Sequence, residues 1–140
     1  MFWQKIWVIG CARDCSISLP AVTKNLTRFT SLFHDSEIII LENDSADYTR
    51  ALLKKYQDNS LLRFYSLNNI DRRFPAKTER LAFLRNACIS YLKTVTSPSS
   101  DDLVMILDLD EVNSHPWNLP SFISALNWFS QKESVASISA

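Results

Sequence analysis

The sequence predicts an α/β fold in three layers, with helices on both faces of a mostly parallel sheet. Two observations carry this prediction. Short apolar runs alternate along the chain with longer stretches of helical periodicity, and polar or charged residues stand directly after each run. Apolar runs without polar alternation are typical of strands that are buried on both faces. The length of 140 residues suits one domain with a core of its own.

The first half of the chain contains three predicted strands and two predicted helices. The strands are the apolar runs at residues 6–9 and 38–41 and a weaker run at residues 61–67. Apolar residues recur at helical spacing over residues 20–34, which predicts a helix with Ser18 as its cap. Asp44 and Asp47 precede a second helical pattern and are predicted to cap that helix.

The second half adds a third helix, a fourth strand and a last helix. An apolar stripe at helical spacing predicts the third helix over residues 76–93, before a polar loop rich in Ser, Thr and Pro. The apolar run at residues 103–107 has the strongest strand pattern of the chain. A helix over residues 119–131 and a short strand over residues 135–138 complete the prediction.

Composition excludes several classes of function. The chain has a single glycine, so it contains neither a P-loop nor a dinucleotide-binding GxGxxG motif. Sugar nucleotidyltransferases are excluded as well, because they begin with a glycine-rich loop and Gly10 stands alone here. Fifteen basic residues balance fifteen acidic ones, which argues against nucleic acid as a partner.

Cysteine usage and hydropathy indicate the reducing interior of a cell. Cys11, Cys15 and Cys88 are an odd number in a chain long enough to fold without disulfides, and no CxxC pair suggests zinc. No apolar stretch is long enough to span a membrane, and the apolar start is interpreted as a first strand rather than a signal peptide. We expect a cytoplasmic protein, with peripheral attachment to a membrane left open.

Charged residues stand where the predicted strands end. Ligands bind beyond the carboxyl ends of the strands in open α/β sheets, so these residues form the candidate site. They are Arg13 and Asp14 after the first strand, Glu42, Asn43 and Asp44 after the second, Arg72 and Arg73 after the third, and Asp108, Asp110 and Glu111 after the fourth.

Asp108 and Asp110 form the most specific of these motifs. Side chains alternate along an extended strand, so these two carboxylates point to the same side, about 7 Å apart. Hard carboxylate oxygens suit a hard divalent cation, Mg²⁺ or Mn²⁺, which can bridge to a diphosphate. A solvated strand end is the alternative, and the position directly after an apolar strand favours the metal site.

Basic residues concentrate around the start of the third predicted helix. They are Arg72, Arg73, Lys77, Arg80 and Arg85. Arginine binds phosphate with two parallel hydrogen bonds, although each of these side chains could equally belong to a solvated helix face. Arg85, followed by Asn86, lies one turn beyond Leu81 near the apolar stripe, where a charge requires a partner.

In this order the motifs resemble the nucleotide-sugar half of a GT-A glycosyltransferase, and in particular the fungal capsule α-mannosyltransferase family and its bacterial relatives. The resemblance covers about residues 7–112 and rests on segments 42–49, 78–86 and 108–110. It implies a GT-A fold, a nucleotide-diphosphate sugar such as GDP-mannose as donor, and a glycan or another hydroxyl compound as acceptor.

The resemblance also implies roles for individual residues. Glu42, Asn43 and Asp44 would contact the nucleoside. Arg80 and Arg85 would help to hold the diphosphate, and Asp108 and Asp110 would carry Mn²⁺ or Mg²⁺. Arg13 and Asn86 are further candidates for binding the donor, and no catalytic base is assigned.

Few residues follow Asp110, whereas in such enzymes the acceptor site lies after this strand. We therefore expect an incomplete glycosyltransferase domain, whose acceptor site a partner chain would complete. One alternative is a degenerate or truncated nucleotide-binding domain without catalysis. Another is a phosphatase of the haloacid dehalogenase type, with Asp108 as nucleophile and Asp110 as acid and base, although little chain remains for its later motifs.

Overall fold

A four-stranded parallel sheet forms the centre of the structure, a computed structural model that describes residues 5–132. The strands are β1 (Lys5–Ala12), β2 (Asp35–Asn43), β3 (Arg63–Leu67) and β4 (Leu103–Asp108). Their order across the sheet is β3, β2, β1, β4. The predicted strands at residues 6–9, 38–41, 61–67 and 103–107 are confirmed, and the one predicted at residues 135–138 lies outside the described residues.

The described residues contain five α-helices, of which four lie between strands and the last follows β4. They are α1 (Leu19–Thr30), α2 (Thr49–Asp58), α3 (Ile70–Arg73), α4 (Lys77–Tyr91) and α5 (Leu119–Ser130). A π-helical turn, Leu92–Thr96, extends α4, and a 3₁₀ turn, Glu111–Ser114, follows β4. Helix α3 was not predicted, because four residues are too few to show a periodicity. None of these helices combines the length and the apolar character needed to cross a bilayer.

The helices cover both faces of the sheet, which confirms the three-layer α/β fold. Residues of α1, α2 and α5 pack on one face of β1, against Ile6 and Val8. Residues of α4 pack on the other face, against Trp7 and Ile9. Because side chains alternate along a strand, the uninterrupted apolar run of β1 supplies both cores at once.

The start and end of α1 differ from their predictions. The helix ends at Thr30, and the N–H of Phe33 bonds back to the Thr30 carbonyl in a closing turn. Ser18 stands at the predicted cap position, but its side chain does not cap the helix. Its hydroxyl donates instead to the carbonyl oxygens of Cys15 and Leu109, each at 3.1 Å.

Gly10 lies in the middle of β1, where neighbouring groups leave no room for a side chain. A Cβ at this position would lie 2.6 Å from Cδ1 of Leu109 and 2.7 Å from the carbonyl oxygen of Leu107. The Leu109 side chain can therefore pack across β1, where it is only 2% exposed. This packing anchors the residue that separates Asp108 from Asp110.

The strand order reverses at β1. The connections after β1 and β2 move in one direction across the sheet, and the connection through α4 returns to place β4 on the other side of β1. Such a reversal leaves a crevice between the carboxyl ends of the two strands, which is where open α/β sheets bind ligands.

Candidate functional site

A cleft of about 160 Å³ opens at this crevice. Four of the residues that the sequence placed at strand ends line it together: Arg13, Asn43, Asp108 and Asp110. The rest of the lining consists of Lys77 and of mostly apolar residues: Cys11, Ala12, Cys15, Leu81, Leu84 and Leu109. The tertiary structure thus brings carboxylates, an amide and two cations to one opening.

Asp108 and Asp110 reach the cleft from the end of β4. Asp108 is partly buried, Asp110 is exposed, and Leu109 between them is buried. This alternation is the one expected of extended chain, and the Leu109 N–H still donates to the Cys11 carbonyl of β1 at 3.4 Å. The backbone therefore continues strand-like through the motif.

Arg85 supplies the partner of Asp108. Its Nη2 donates to Oδ2 of Asp108 at 2.7 Å, in an ion pair whose side chains are 43% and 39% exposed. The expectation that a charge near the apolar stripe of this helix needs a partner is confirmed. The Nε of Arg85 is buried and has no hydrogen-bond partner among the described residues.

Arg13 is the cation that follows β1. Its guanidinium lies 3.5 Å from a carboxylate oxygen of Asp71 and 3.7 Å from one of Asp14. Its Nη1 is buried without a hydrogen-bond partner among the described residues. A buried donor without a partner is costly, so this nitrogen favours an anionic ligand in the cleft.

Lys77 is a cleft residue to which the sequence assigned no role beyond membership of the basic segment. It is the first residue of α4, it is exposed, and no carboxylate of the described chain forms an ion pair with it. Because α4 begins at the carboxyl edge of the sheet, its first turn faces the cleft. The sequence predicted the start of this helix within one residue, but only the tertiary fold places that start beside the ends of β1 and β4.

Glu42 does not reach the cleft. Its side chain is completely buried and accepts hydrogen bonds from the Ser45 N–H at 2.8 Å, from Nε of Arg50 at 2.8 Å and from the Ser66 hydroxyl at 2.7 Å. Burial opposes the charge, but the hydrogen bonds from Ser66 and Arg50 hold the pKa of Glu42 below its ordinary value. Glu42 therefore fixes the loop that follows β2.

Asp44 ties this loop to α3. Its carboxylate accepts the N–H groups of Asn69, Ile70 and Asp71 at 2.6, 2.9 and 3.1 Å. The prediction that Asp44 caps the second helix was wrong, because its carboxylate caps α3 instead. Helix α3 lies within reach of Asp44 because β3 is the neighbour of β2 in the sheet and the loop after β3 leads into α3.

Asp47 and Asp14 join the first two loops of the site. Asp47 accepts the N–H of Thr49 at the start of α2, as predicted, and also that of Ser16 at 3.0 Å. Asp14 in turn accepts the Ala46 N–H at 2.7 Å. These bonds cross between the loops after β1 and β2, so the rim of the cleft is a connected structure.

Arg80 and Asn86 lie outside the cleft lining. Arg80 donates to the carbonyl oxygens of Phe74 and Pro75 at 3.0 and 2.8 Å, and so fixes the connection between α3 and α4. Asn86 is exposed on α4. Their contact with a donor stays a prediction.

The donor atoms of the cleft fit a hard cation that is shared with a ligand. The described residues contain no group of three His, Cys, Asp or Glu side chains that could hold a metal ion. Asp108 and Asp110 supply two carboxylates. Mg²⁺ is commonly bound by one or two carboxylates together with substrate phosphates and water, so two are sufficient when a diphosphate completes the shell.

The cysteines beside the cleft are unsuited to nucleophilic chemistry. Cys11, Cys15 and Cys88 are buried free thiols. Burial raises the pKa of Cys15 to about 11. The adjacent Cys88 thiol, together with burial, raises the pKa of Cys11. Since the thiolate is the reactive form, the Cys11 and Cys15 thiols, which line the cleft, are chemically quiet at neutral pH.

Comparison with solved structures identifies the fold. Two structures of S. aureus TarS match this chain. The first has 17% sequence identity and a TM-score of 0.56, and the match covers 91% of this chain and 20% of that one. The second, TarS 1–349, has 14% identity and a TM-score of 0.58, and the match covers 97% of this chain and 38% of that one. The third match is glucosyl-3-phosphoglycerate synthase from Mycobacterium tuberculosis, solved in complex with Mn²⁺, UDP and phosphoglyceric acid. It has 22% sequence identity and a TM-score of 0.50, and the match covers 88% of this chain and 39% of that one.

These proteins are GT-A glycosyltransferases, and none is a fungal capsule mannosyltransferase. The chain spans between one fifth and about two fifths of their length. No family model matches the chain, and no curated protein matches it. At these identities the likeness concerns the fold alone, and the α/β sheet with its flanking helices is that of the GT-A glycosyltransferases.

Proposed function

We propose that the chain is the nucleotide-sugar-binding part of a glycosyltransferase, which transfers a sugar from a nucleoside diphosphate sugar to a hydroxyl acceptor. One observation carries the proposal: the cleft between β1 and β4 gathers two carboxylates and two cations at the switch point of a GT-A sheet. A diphosphate needs cations around its oxygens, and carboxylates are useful there when a divalent cation links them to it.

Arg13 and Lys77 would bind the diphosphate directly from two sides of the cleft. The partnerless Nη1 of Arg13 gives this residue a donor to offer, and Lys77 is free of carboxylate partners in the described chain. Asp108 and Asp110 would hold Mn²⁺ or Mg²⁺. Such an ion would supply a Lewis acid that offsets charge on the departing diphosphate. The anomeric carbon would exchange its bond to the diphosphate oxygen for a bond to the acceptor hydroxyl oxygen, and the hydroxyl proton would pass to the departing diphosphate or to water.

The nucleoside would lie against the loop after β2. Asn43 lines the cleft and its amide nitrogen donates to Asp44 at 3.1 Å, and hydrogen bonds to Glu42 and Asp44 fix the loop around it. The motif resemblance favours GDP-mannose as the donor and a glycan as the acceptor. A partner chain is proposed to complete the acceptor side, since β4 is an edge strand of the described sheet.

Calorimetry with GDP and UDP, each with and without Mn²⁺, tests the proposal. We expect Mn²⁺-dependent nucleotide binding that Asp110→Asn weakens at least about tenfold, since this variant removes one of two charged ligands. Glu111→Gln is the matched control, because Glu111 is the adjacent exposed acid and does not line the cleft. Binding that needs no metal, or that Asp110→Asn leaves unchanged, would overturn the proposal.

Further outcomes separate the alternatives. Preference for GDP supports the mannosyl donor, and preference for UDP contradicts it. Metal-dependent nucleotide binding without sugar transfer to any offered glycan indicates a degenerate binding domain. Release of inorganic phosphate from small phosphoesters, lost in Asp108→Asn, would establish the phosphatase alternative.

A further inference from the structure

The backbone of the Asp108–Asp110 motif is held at every carbonyl. The Asp108 carbonyl accepts the side-chain amide of Asn113 at 2.7 Å, and the Leu109 carbonyl accepts the hydroxyl of Ser18 at 3.1 Å. The Asp110 carbonyl accepts the backbone N–H of Asn113 at 3.2 Å. Two residues outside the motif thus fix all three peptide units that carry the carboxylates.

Asn113 is in turn held by Asn25, a residue of α1 that is far away in the sequence. The Asn25 amide nitrogen donates to the Asn113 carbonyl at 3.0 Å and to the His115 carbonyl at 2.6 Å. The indole N–H of Trp117 adds a second bond to the Asn113 carbonyl at 3.2 Å. Asn25 is only 5% exposed, although it is polar and lies on a helix that packs on the core.

A buried asparagine on the core face of a helix is costly unless its hydrogen bonds serve the fold or the site. Both hydrogens of the Asn25 amide go to the segment directly after Asp110, and neither goes to its own helix. The destination of these bonds therefore indicates what the residue is for.

We propose that Asn25 is a positioning residue, which through Asn113 fixes the Asp108 and Asp110 carboxylates in the arrangement that binds a divalent cation. This inference rests on the proposed function, because it assigns the cation to these two carboxylates. Residues that orient metal ligands from behind typically change metal affinity by about 10- to 100-fold when they are replaced. Asn25 does not contact the carboxylates themselves: it holds the Asn113 carbonyl, and Asn113 holds the Asp108 carbonyl.

Mn²⁺ titration of Asn25→Asp, followed by electron paramagnetic resonance, tests the assignment. The variant keeps the shape of the side chain but replaces its donor nitrogen with an oxygen, so two attractions toward carbonyl oxygens become repulsions. We expect Mn²⁺ affinity to fall by about 10-fold or more. The affinity for GDP or UDP at saturating Mn²⁺ should stay unchanged, a split that general loss of structure would not produce.

Two further variants complete the design. Thr23→Val is the control, because Thr23 is similarly buried on α1 and its hydroxyl has no hydrogen-bond partner in the described chain. Its Mn²⁺ affinity should match that of the natural chain. Asn113→Ala removes the hydrogen bond to the Asp108 carbonyl. Because Asn113 is less buried than Asn25, this variant tests the same chain of hydrogen bonds if Asn25→Asp does not fold.

The outcomes distinguish this inference from the proposed function. If the natural chain binds Mn²⁺ and folded Asn25→Asp, or Asn113→Ala in its place, binds it equally well, the positioning role is overturned and the proposed function stands. If the natural chain binds no Mn²⁺ with or without nucleotide, both fall. A loss in Asn25→Asp that Thr23→Val shares would mean a general effect of α1, and would also overturn the assignment.

Discussion

Arg85 of α4 and Asp108 of β4 form an ion pair with 2.7 Å between Nη2 and Oδ2. The residue implied to hold the diphosphate and a residue implied to hold the cation thus neutralise each other in the structure. A divalent cation at Asp108 must compete with the guanidinium, and release of Arg85 would free it for a phosphate oxygen.

Replacing Arg85 should therefore move two affinities in opposite directions. In Arg85→Gln we expect Mn²⁺ alone to bind about two- to fivefold more tightly, a change that corresponds to the free energy of a partly exposed ion pair. The binding of GDP or UDP in the presence of Mn²⁺ should weaken. Calorimetry measures both. Arg28→Gln is the control, as an exposed arginine on α1. Weaker Mn²⁺ binding in Arg85→Gln would mean that Arg85 orients Asp108 rather than competing for it.

Gly10→Ala should destabilise the fold by about 1–3 kcal/mol, because the new methyl group overpacks the middle of β1. The clash at 2.7 Å is with a backbone carbonyl of β4, which cannot rotate away as a side chain can. Urea denaturation measures the free energy of unfolding. Ala82→Leu adds more bulk at an exposed position of α4 and should stay within about 0.5 kcal/mol. Equal effects of the two variants would contradict this account.

Acid should destabilise the chain through its loop carboxylates. Burial opposes the charges of Glu42, Asp44 and Asp47, but hydrogen bonds lower the pKa of each in the folded state. Their contribution to stability is complete above the unfolded pKa values of about 4 and is lost as pH falls below them.

Urea denaturation between pH 7 and pH 3 checks this sign. We expect stability to fall steadily below about pH 4.5, and the fall to be shallower in Asp44→Asn, which is also less stable at pH 7. Asp101→Asn, in an exposed loop, is the control. A flat profile, or equal slopes for Asp44→Asn and the natural chain, would remove the assigned role of these carboxylates.

Glu42→Gln should lower stability by about 1–3 kcal/mol, because a neutral amide cannot satisfy the three donors that converge on the buried carboxylate. Denaturation of this variant and of Glu79→Gln, at an exposed position of α4, provides the comparison. If Glu42→Gln instead leaves stability unchanged and weakens GDP binding, Glu42 touches the nucleoside, as the motif resemblance implies.

Much of the fold could be predicted from local patterns. The apolar run Leu103–Asp108 and the helical stripe of α4 each reflect a burial pattern that short stretches of sequence record. Helix α3 escaped prediction because its start is stabilised by Asp44, which is 26 residues from Ile70 in sequence. The strand-end rule placed Arg13, Asn43, Asp108 and Asp110 together, because parallel strands share one carboxyl edge.

The sequence by itself determined the layered α/β fold and the set of charged residues at its carboxyl edge, since hydrophobic periodicity and strand ends are local properties. Only the tertiary structure decided how those charges are used. It paired Arg85 with Asp108, buried Glu42 beneath its loop and brought Asn25 to Asn113. Such pairings join residues far apart along the chain, and they depend on the order of the strands and the faces on which the helices pack.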